Sequence, residues 1–221
     1  MSEAENFRDD GVKGAPVRGF LHRAANGVDG LVLTHGAGAN CQSPLLQALA
    51  AAFCAAEITV LRCDLPFRQA RPTGPPMRGS AERDQEGLRA AVAAMRRACA
   101  GRIFLGGHSY GGRQASILAA ADSTVAQALL LLSYPLHPPH KPEQLRTAHF
   151  PSLRTPGLFV SGERDGFGTH DELEIALSEI QARTELMLIS AAGHELITPR
   201  NKQELPTRIV EAFLKFTSTQ E

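Results

Sequence analysis

The chain has 221 residues, enough for one domain with a sizeable buried core, and its 23 Lys+Arg and 23 Asp+Glu leave no net charge. That balance excludes a general electrostatic pull toward nucleic acid or an anionic membrane, so neither is an expected partner. Cys41, Cys54, Cys63 and Cys99 fall in no CxxC or metal-ligand spacing and read as small buried hydrophobes, which fits a reducing, cytoplasmic setting.

In chain order, residues 1–14 are polar and acidic and read as a flexible N-terminal tail with no signal-peptide pattern, ahead of a single domain at 15–221. Residues 15–22 suggest a short strand. Residues 30–35, bounded by glycine and rich in Leu and Val, read as a buried strand. Ser43 and Pro44 then open a helix with Leu45, Leu46, Leu49 and Phe53 on one face. Ile58–Cys63 is the next strand, followed by a Pro/Gly/Arg-rich loop to about Gly79. Its arginines, with Arg62 and Arg83 on either side, read as a solvated segment more readily than as an anion-binding rim. Ser80 caps a helix whose face is Leu88, Val92, Met95 and Cys99.

Ile103–Leu105 leads into a small-residue turn and a helix to about Ala121. Ala126–Leu132 is a near-continuous apolar strand, and 135–156, with six prolines, reads as irregular. Gly157–Ser161 is a further strand. Thr169 to Glu172 has capping-box spacing at the head of a helix. Leu186–Ile189 is the last strand, and a helix from about Glu204 carries Ile209, Phe213 and Phe216 inward. This alternation predicts an α/β fold: an open, mostly parallel sheet with helices on both faces, three layers, and no cap domain. No apolar run approaches the ~18 residues needed to cross a bilayer.

Residues 107–111, Gly-His-Ser-Tyr-Gly, match G-x-S-x-G between a strand and a helix. This is the nucleophile-elbow pattern, in which glycines two residues either side of the serine let strand and helix approach closely. The pattern gains weight only with a base, an acid and an oxyanion site. In a parallel sheet the loops after the strands' carboxyl ends converge. After 157–161 comes Gly-Glu-Arg-Asp-Gly with Asp165; after 186–189 comes Ser-Ala-Ala-Gly-His with His194. The order Ser109, Asp165, His194 gives a nucleophile, an orienting acid and a general base. Backbone N–H groups would hold the oxyanion: Tyr110 at the helix start, and Ala37 in the loop after the first buried strand, with Gly38 as the alternative.

Rival assignments exist for several positions. Glu163 and Asp171 could stand in for Asp165. His35 reads as a loop brace, and His108 is expected to point away from the elbow tip. His137, His140 and His149 match no common ligand spacing, and no metal is expected. Gly36-x-Gly38 followed by Asp64 resembles a dinucleotide-binding unit, but Cys41 occupies its third small position and the Ser/Asp/His set would go unexplained.

The segments Leu-Thr-His-Gly-Ala-Gly-Ala, Gly-Gly-His-Ser-Tyr-Gly-Gly-Arg-Gln-Ala-Ser, Ser-Tyr-Pro-Leu-His-Pro-Pro and Gly-Glu-Arg-Asp-Gly-Phe-Gly-Thr carry a resemblance. The chain resembles small cap-less α/β-hydrolases of the dienelactone-hydrolase-like kind, and within them the Tex/KANL branch, over roughly 15–217. Serine rather than cysteine at the elbow departs from dienelactone hydrolases proper. The resemblance implies a serine hydrolase acting on a small acyl substrate, an ester or thioester, with no metal or organic cofactor. A non-catalytic scaffold and an acyltransferase are the alternatives. Gly38, Phe67, Tyr134, Leu136 and Phe167 are the expected substrate-binding residues, and the protein is expected to be a monomer or small homo-oligomer.

Overall fold

Five apolar strands form the centre of a sheet, each buried at every position in the computed structural model, which describes residues 4–11 and 15–218. In chain order the elements are β1 (Glu5–Asp9), β2 (Val17–His22), β3 (Gly30–Thr34), α1 (Pro44–Ala55), β4 (Thr59–Cys63), α2 (Pro66–Ala70) and α3 (Ala81–Ala98). There follow β5 (Ile103–His108), α4 (Tyr110–Ala121), β6 (Leu129–Leu132), β7 (Gly157–Gly162), α5 (His170–Leu177), β8 (Thr184–Ile189) and α6 (Leu205–Ser218). Among the described residues the sheet runs β1-β2-β4-β3-β5-β6-β7-β8, with β1 and β2 antiparallel and the remainder parallel.

The period-two geometry of strands sorts their side chains into two cores. Leu31, Leu33, Phe104, Leu130 and Val160 face α1 and α6, while Val32, Leu105, Leu129, Leu131 and Phe159 face α3, α4 and α5. Phe213 of α6 packs edge-on against Phe53 of α1 at 5.7 Å and Phe104 of β5 at 5.2 Å, tying helix layer to sheet. Covering both faces explains why β6 can be four consecutive leucines. The three layers and the mostly parallel sheet are those expected from sequence. The Thr169 capping box forms as its spacing predicts: the hydroxyl accepts from Glu172 N–H while the Glu172 carboxylate accepts from Thr169 N–H.

Three expectations are corrected. Residues 5–9 of the expected tail form β1, which pairs with β2 from Glu5 opposite Leu21 to Asp9 opposite Val17 and packs Phe7 on the core; residues 1–3 and 12–14 lie outside the described residues. Pairing with β2 satisfies backbone groups that a polar five-residue segment alone could not. The loop after β4 contains the short helix α2, started by Pro66 at its first turn. Two of the arginines read as solvated are buried. Arg62 donates from Nε to His22 Nε2 at 3.0 Å and also to the Cys41 carbonyl. Arg68 is spent on four carbonyls, those of Ala39 (2.7 Å), Ala37 (2.8 Å), Gly74 (3.0 Å) and Arg71 (3.2 Å). A buried guanidinium is tolerated because its N–H groups are taken up in this way.

The proline-rich segment 135–156 is irregular as expected, yet anchored. Tyr134 O–H donates to the Arg146 carbonyl at 2.7 Å, and His149 Nε2 lies 2.8 Å from the Ser116 hydroxyl of α4. His137 and His149 thus serve separate loop contacts, His137 facing Glu172.

Phe213→Ala should lower unfolding free energy by about 3–5 kcal/mol in chemical denaturation, because the two flanking rings cannot both collapse into its space. Acid should destabilise the fold. Burial, then the field of Arg113, lowers the His149 pKa from its ordinary 6.5 to about 4. Between those values the unfolded chain binds the proton and the folded one does not, so stability falls as pH drops through that window and the His149 contribution levels off below it. Denaturation series at pH 7 and pH 4.5 should show a smaller loss in His149→Gln than in the wild type; His22 and His35, lowered in the same direction by burial, keep the remaining slope above zero.

Candidate active site

Ser109 stands between β5 and α4 with φ 51° and ψ −116°. A non-glycine residue adopts such angles only where its surroundings enforce them, at a cost of order 1–3 kcal/mol. The enforcement is visible in the glycines. A Cβ on Gly111 would lie 2.6 Å from the His35 carbonyl oxygen and 2.6 Å from Thr34 Cγ2; one on Gly107 would lie 2.8 Å from the backbone of Gly111 and Gly112. The turn is therefore as tight as the sequence spacing implies. Ser109 N–H donates to the Leu132 carbonyl at 2.8 Å, fixing the turn to β6.

The loops after β7 and β8 bring the other two expected residues to this turn. Ser109 O–H donates to His194 Nε2 at 2.8 Å, and His194 Nδ1–H donates to the Asp165 carboxylate at 2.8 and 3.0 Å. Asp165 is buried and also accepts the Phe167 N–H at 2.9 Å, so its carboxylate is held from two sides. Gly162, the last residue of β7, makes room for the histidine loop: a Cβ there would lie 2.4 Å from the Ala192 carbonyl and 2.5 Å from that of Gly193. Of the rival acids, Glu163 accepts from the Ser190 hydroxyl and the Ala191 N–H, bracing the same loop, and Asp171 sits exposed in the first turn of α5.

Two histidines frame the array. His35 is fully buried, donates from Nδ1 to the Gly36 carbonyl at 2.9 Å and accepts the Leu65 N–H at Nε2. Both ring nitrogens are thereby committed with the imidazole neutral, and burial lowers its pKa accordingly. His35 is the loop brace that the sequence suggests. His108 does not turn away from the elbow as expected. Its ring centroid lies 5.2 Å from that of His194, and its Nε2–H donates to the His194 carbonyl at 2.8 Å. It steadies the backbone of the residue that faces Ser109, and burial holds its own pKa down.

An open cleft of about 550 Å³ lies over Ser109, with Ala37, Gly38, Asn40, Phe167 and Glu195 among its walls. Phe167 stacks on His194, centroids 4.1 Å apart and planes 31° from parallel. Ala37 and Gly38 line the cleft beside Ser109, and Tyr110 is the first residue of α4, where N–H groups have no intrahelical acceptor. The Tyr110 side chain leaves the cleft and donates to Asp84 Oδ2 at 2.7 Å. Phe67, Tyr134 and Leu136, expected as substrate contacts, are instead buried in the core on the α3/α4 side of the sheet. Phe67 packs between His35 and Tyr110, and Tyr134 lies against Phe150 and Phe159. Apolar loop residues look alike in sequence whether they line a cleft or fill the layer beneath it. Asn40 and Glu195 went unread, having only their proximity to glycine-rich loops to mark them. Among the described residues the groups able to share a metal ion reduce to His170, Asp171 and Glu174, all exposed on the first turns of α5, where an i,i+4 His–Glu pair at 3.0 Å accounts for them.

An open α/β sheet whose elbow carries a serine beside a histidine–aspartate pair defines the class of α/β-hydrolase folds. The chain belongs to the Alpha/beta hydrolase domain family, which it matches over residues 28–218. Similar solved structures share this fold at low identity. Est1E from Butyrivibrio proteoclasticus is 14% identical, with a TM-score of 0.77 over 97% of this chain and 100% of that one. A dienelactone hydrolase from Anabaena variabilis is 19% identical, with a TM-score of 0.74 over 96% and 98%. XC6422 from Xanthomonas campestris, described as an α/β serine hydrolase without a lid, is 17% identical, with a TM-score of 0.74 over 98% and 96%. This chain is a small member of that family, and the three structures share its fold. No helix of the described residues is long and apolar enough to cross a membrane.

The strain at the elbow has a measurable signature. Ser109→Gly and Ser109→Ala both remove the hydroxyl, but only glycine is at ease at φ 51°, ψ −116°. Ser109→Gly should unfold at higher denaturant than Ser109→Ala, by about 1 kcal/mol or more, the reverse of the order found at ordinary helical positions.

Proposed function

We propose that the protein is a serine hydrolase that cleaves a small ester or thioester through an acyl-enzyme. The observation that carries this reading is the unbroken hydrogen-bond chain from Asp165 through His194 to the hydroxyl of a strained, cleft-facing serine. A serine hydroxyl is a weak nucleophile until a base takes its proton as it attacks. In this reading Ser109 Oγ attacks the acyl carbon while His194 Nε2 receives the proton, and Asp165 holds the imidazole with Nδ1 protonated and offsets its positive charge. The tetrahedral oxyanion is met by the N–H groups of Tyr110 and Ala37, with Gly38 the alternative to Ala37. His194 then gives its proton to the departing alkoxide or thiolate. Water, entering through the open cleft, is deprotonated by the same imidazole, attacks the acyl carbon and releases the acid and Ser109.

The openness of the cleft favours water over a larger acceptor, and hence hydrolysis over acyl transfer. Phe167 gives the cleft an apolar wall beside the reacting centre, which favours an acyl group with an apolar body. The Ser109, His194 and Asp165 set is kept whole and bonded, which speaks for chemistry and against a scaffold built on an inactive hydrolase fold.

Purified protein should hydrolyse short p-nitrophenyl esters and be labelled by a fluorophosphonate, and Ser109→Ala should lose both. Asp165→Asn should reduce kcat by about 10⁴-fold, since the amide favours the wrong imidazole tautomer. Full turnover by Ser109→Ala, or neither turnover nor labelling by the wild type, would overturn the reading.

A further inference from the structure

A second cavity lies between α2, the start of α3 and the loop that joins them. It has a volume of about 240 Å³ and shares no lining residue with the cleft over Ser109. Pro66, Phe67, Ala70 and Met77 give it apolar walls, and Met77 keeps 64% of its surface exposed, unusual for so large a hydrophobe.

Its rim carries three arginines, Arg71, Arg78 and Arg83, and among the described residues none of the three makes an ion pair. The acidic neighbours of Arg83 on α3, Glu82 and Glu86, make none with it either. The one carboxylate at the cavity, Asp84, is fully buried, and its two oxygens are taken by Tyr110 O–H at 2.7 Å and Phe67 N–H at 3.0 Å. It faces the interior; Arg83 lies within reach of its field, while Arg71 and Arg78 face no carboxylate among the cavity's lining residues.

The rim is also built rather than loose. Arg71 Nη2 donates to the Pro75 carbonyl at 2.9 Å, across Gly74, where a Cβ would come within 2.8 Å of the same nitrogen. Gly74 and Gly79 take φ +87° and +84°, so the loop turns at both ends through conformations that glycine supplies. From inside, buried Arg68 holds the carbonyls of Arg71 and Gly74.

We propose that this cavity is a second ligand site, taking a small amphiphilic carboxylate. Its carboxylate would sit among the guanidinium groups, whose planar forks match it in two-point hydrogen bonding. Its short aryl or alkyl body would lie on Phe67, Met77 and Pro66. The volume is below the range of drug-sized sites, which restricts the body to about one ring or a short chain. A bare anion would leave the apolar walls wet, and a neutral molecule would leave the arginines unmatched. The site stands independently of the acyl-enzyme reading, since it requires no chemistry at Ser109.

Calorimetric titration of the full chain with hydrocinnamate tests it, alongside 3-phenylpropanol and inorganic phosphate. Hydrocinnamate should bind, while the alcohol and phosphate bind far more weakly. The triple variant Arg71→Gln/Arg78→Gln/Arg83→Gln, altered only at exposed positions and checked for folding by circular dichroism, should weaken hydrocinnamate about tenfold or more. Phe167→Ala, which alters the cleft over Ser109, should leave it unchanged. No binding of hydrocinnamate would overturn the proposal. So would binding that survives the triple variant or is lost in Phe167→Ala, which would place the ligand in the cleft. Phosphate bound as tightly as hydrocinnamate would reduce the rim to a surface anion patch and overturn it equally.

Discussion

The site depends on one steric constraint, the approach of α4 to β3 and β5 at the elbow. Gly107, Gly111 and Gly112 let the helix start within contact of Thr34 and His35, and that approach throws Ser109 into a backbone conformation it would not choose. The strain is sustained by the sheet. β5 is paired on both sides, by β3 and β6, and Ser109 N–H is itself bonded to the end of β6. Lengthening any of these contacts by one Cβ would relax the turn and withdraw the hydroxyl from His194. The cost is met by burial across two cores, and the same central position that makes β5 hard to move makes its carboxyl end a fixed platform.

Around that platform the loops are positioned by three polar groups, of which only His108 reaches the cleft. His35 ties β3's end to Leu65, His108 ties the elbow to the His194 carbonyl, and Glu163 ties the acid loop to the histidine loop through Ser190 and Ala191. Each is a hydrogen bond between residues far apart in sequence and adjacent in space. Together they hold the three loops relative to one another.

What could be read in advance follows from how local the cause is. The elbow was legible because glycines at fixed spacing around a serine answer a local steric demand, and the α5 start because a capping box spans four residues. Asp165 and His194 were legible once the strand order was known, since a parallel sheet gathers its carboxyl-end loops on one edge. β1 was not, because Glu5–Asp9 carries one apolar residue and owes its structure to the unpaired edge of β2. The fates of Phe67, Tyr134 and Leu136 depend on which way short loops fold over the layer of α3 and α4, and nothing in their neighbours encodes that. Arg62 and Arg68 misled for a related reason: charge predicts exposure unless carbonyls happen to converge on it, and convergence is a tertiary event.

Arg68 carries that point into the organisation of the molecule. One guanidinium bonds the carbonyls of Ala37 and Ala39 on one side and those of Arg71 and Gly74 on the other. The first pair belongs to the loop beside Ser109 and the second to the loop that rims the arginine-lined cavity. Asp84 makes a parallel link, holding Tyr110 at the head of α4 and Phe67 at the head of α2, and burial raises its pKa while these two donors oppose the rise. The two cavities are therefore separate in their linings and joined in their supports. A lysine in place of Arg68 would offer a compact charge with three donors where the carbonyls are spread across a planar fork, so it could hold one loop or the other but not both. One of several arginines that read as solvated in sequence is thus the residue that bonds both loops.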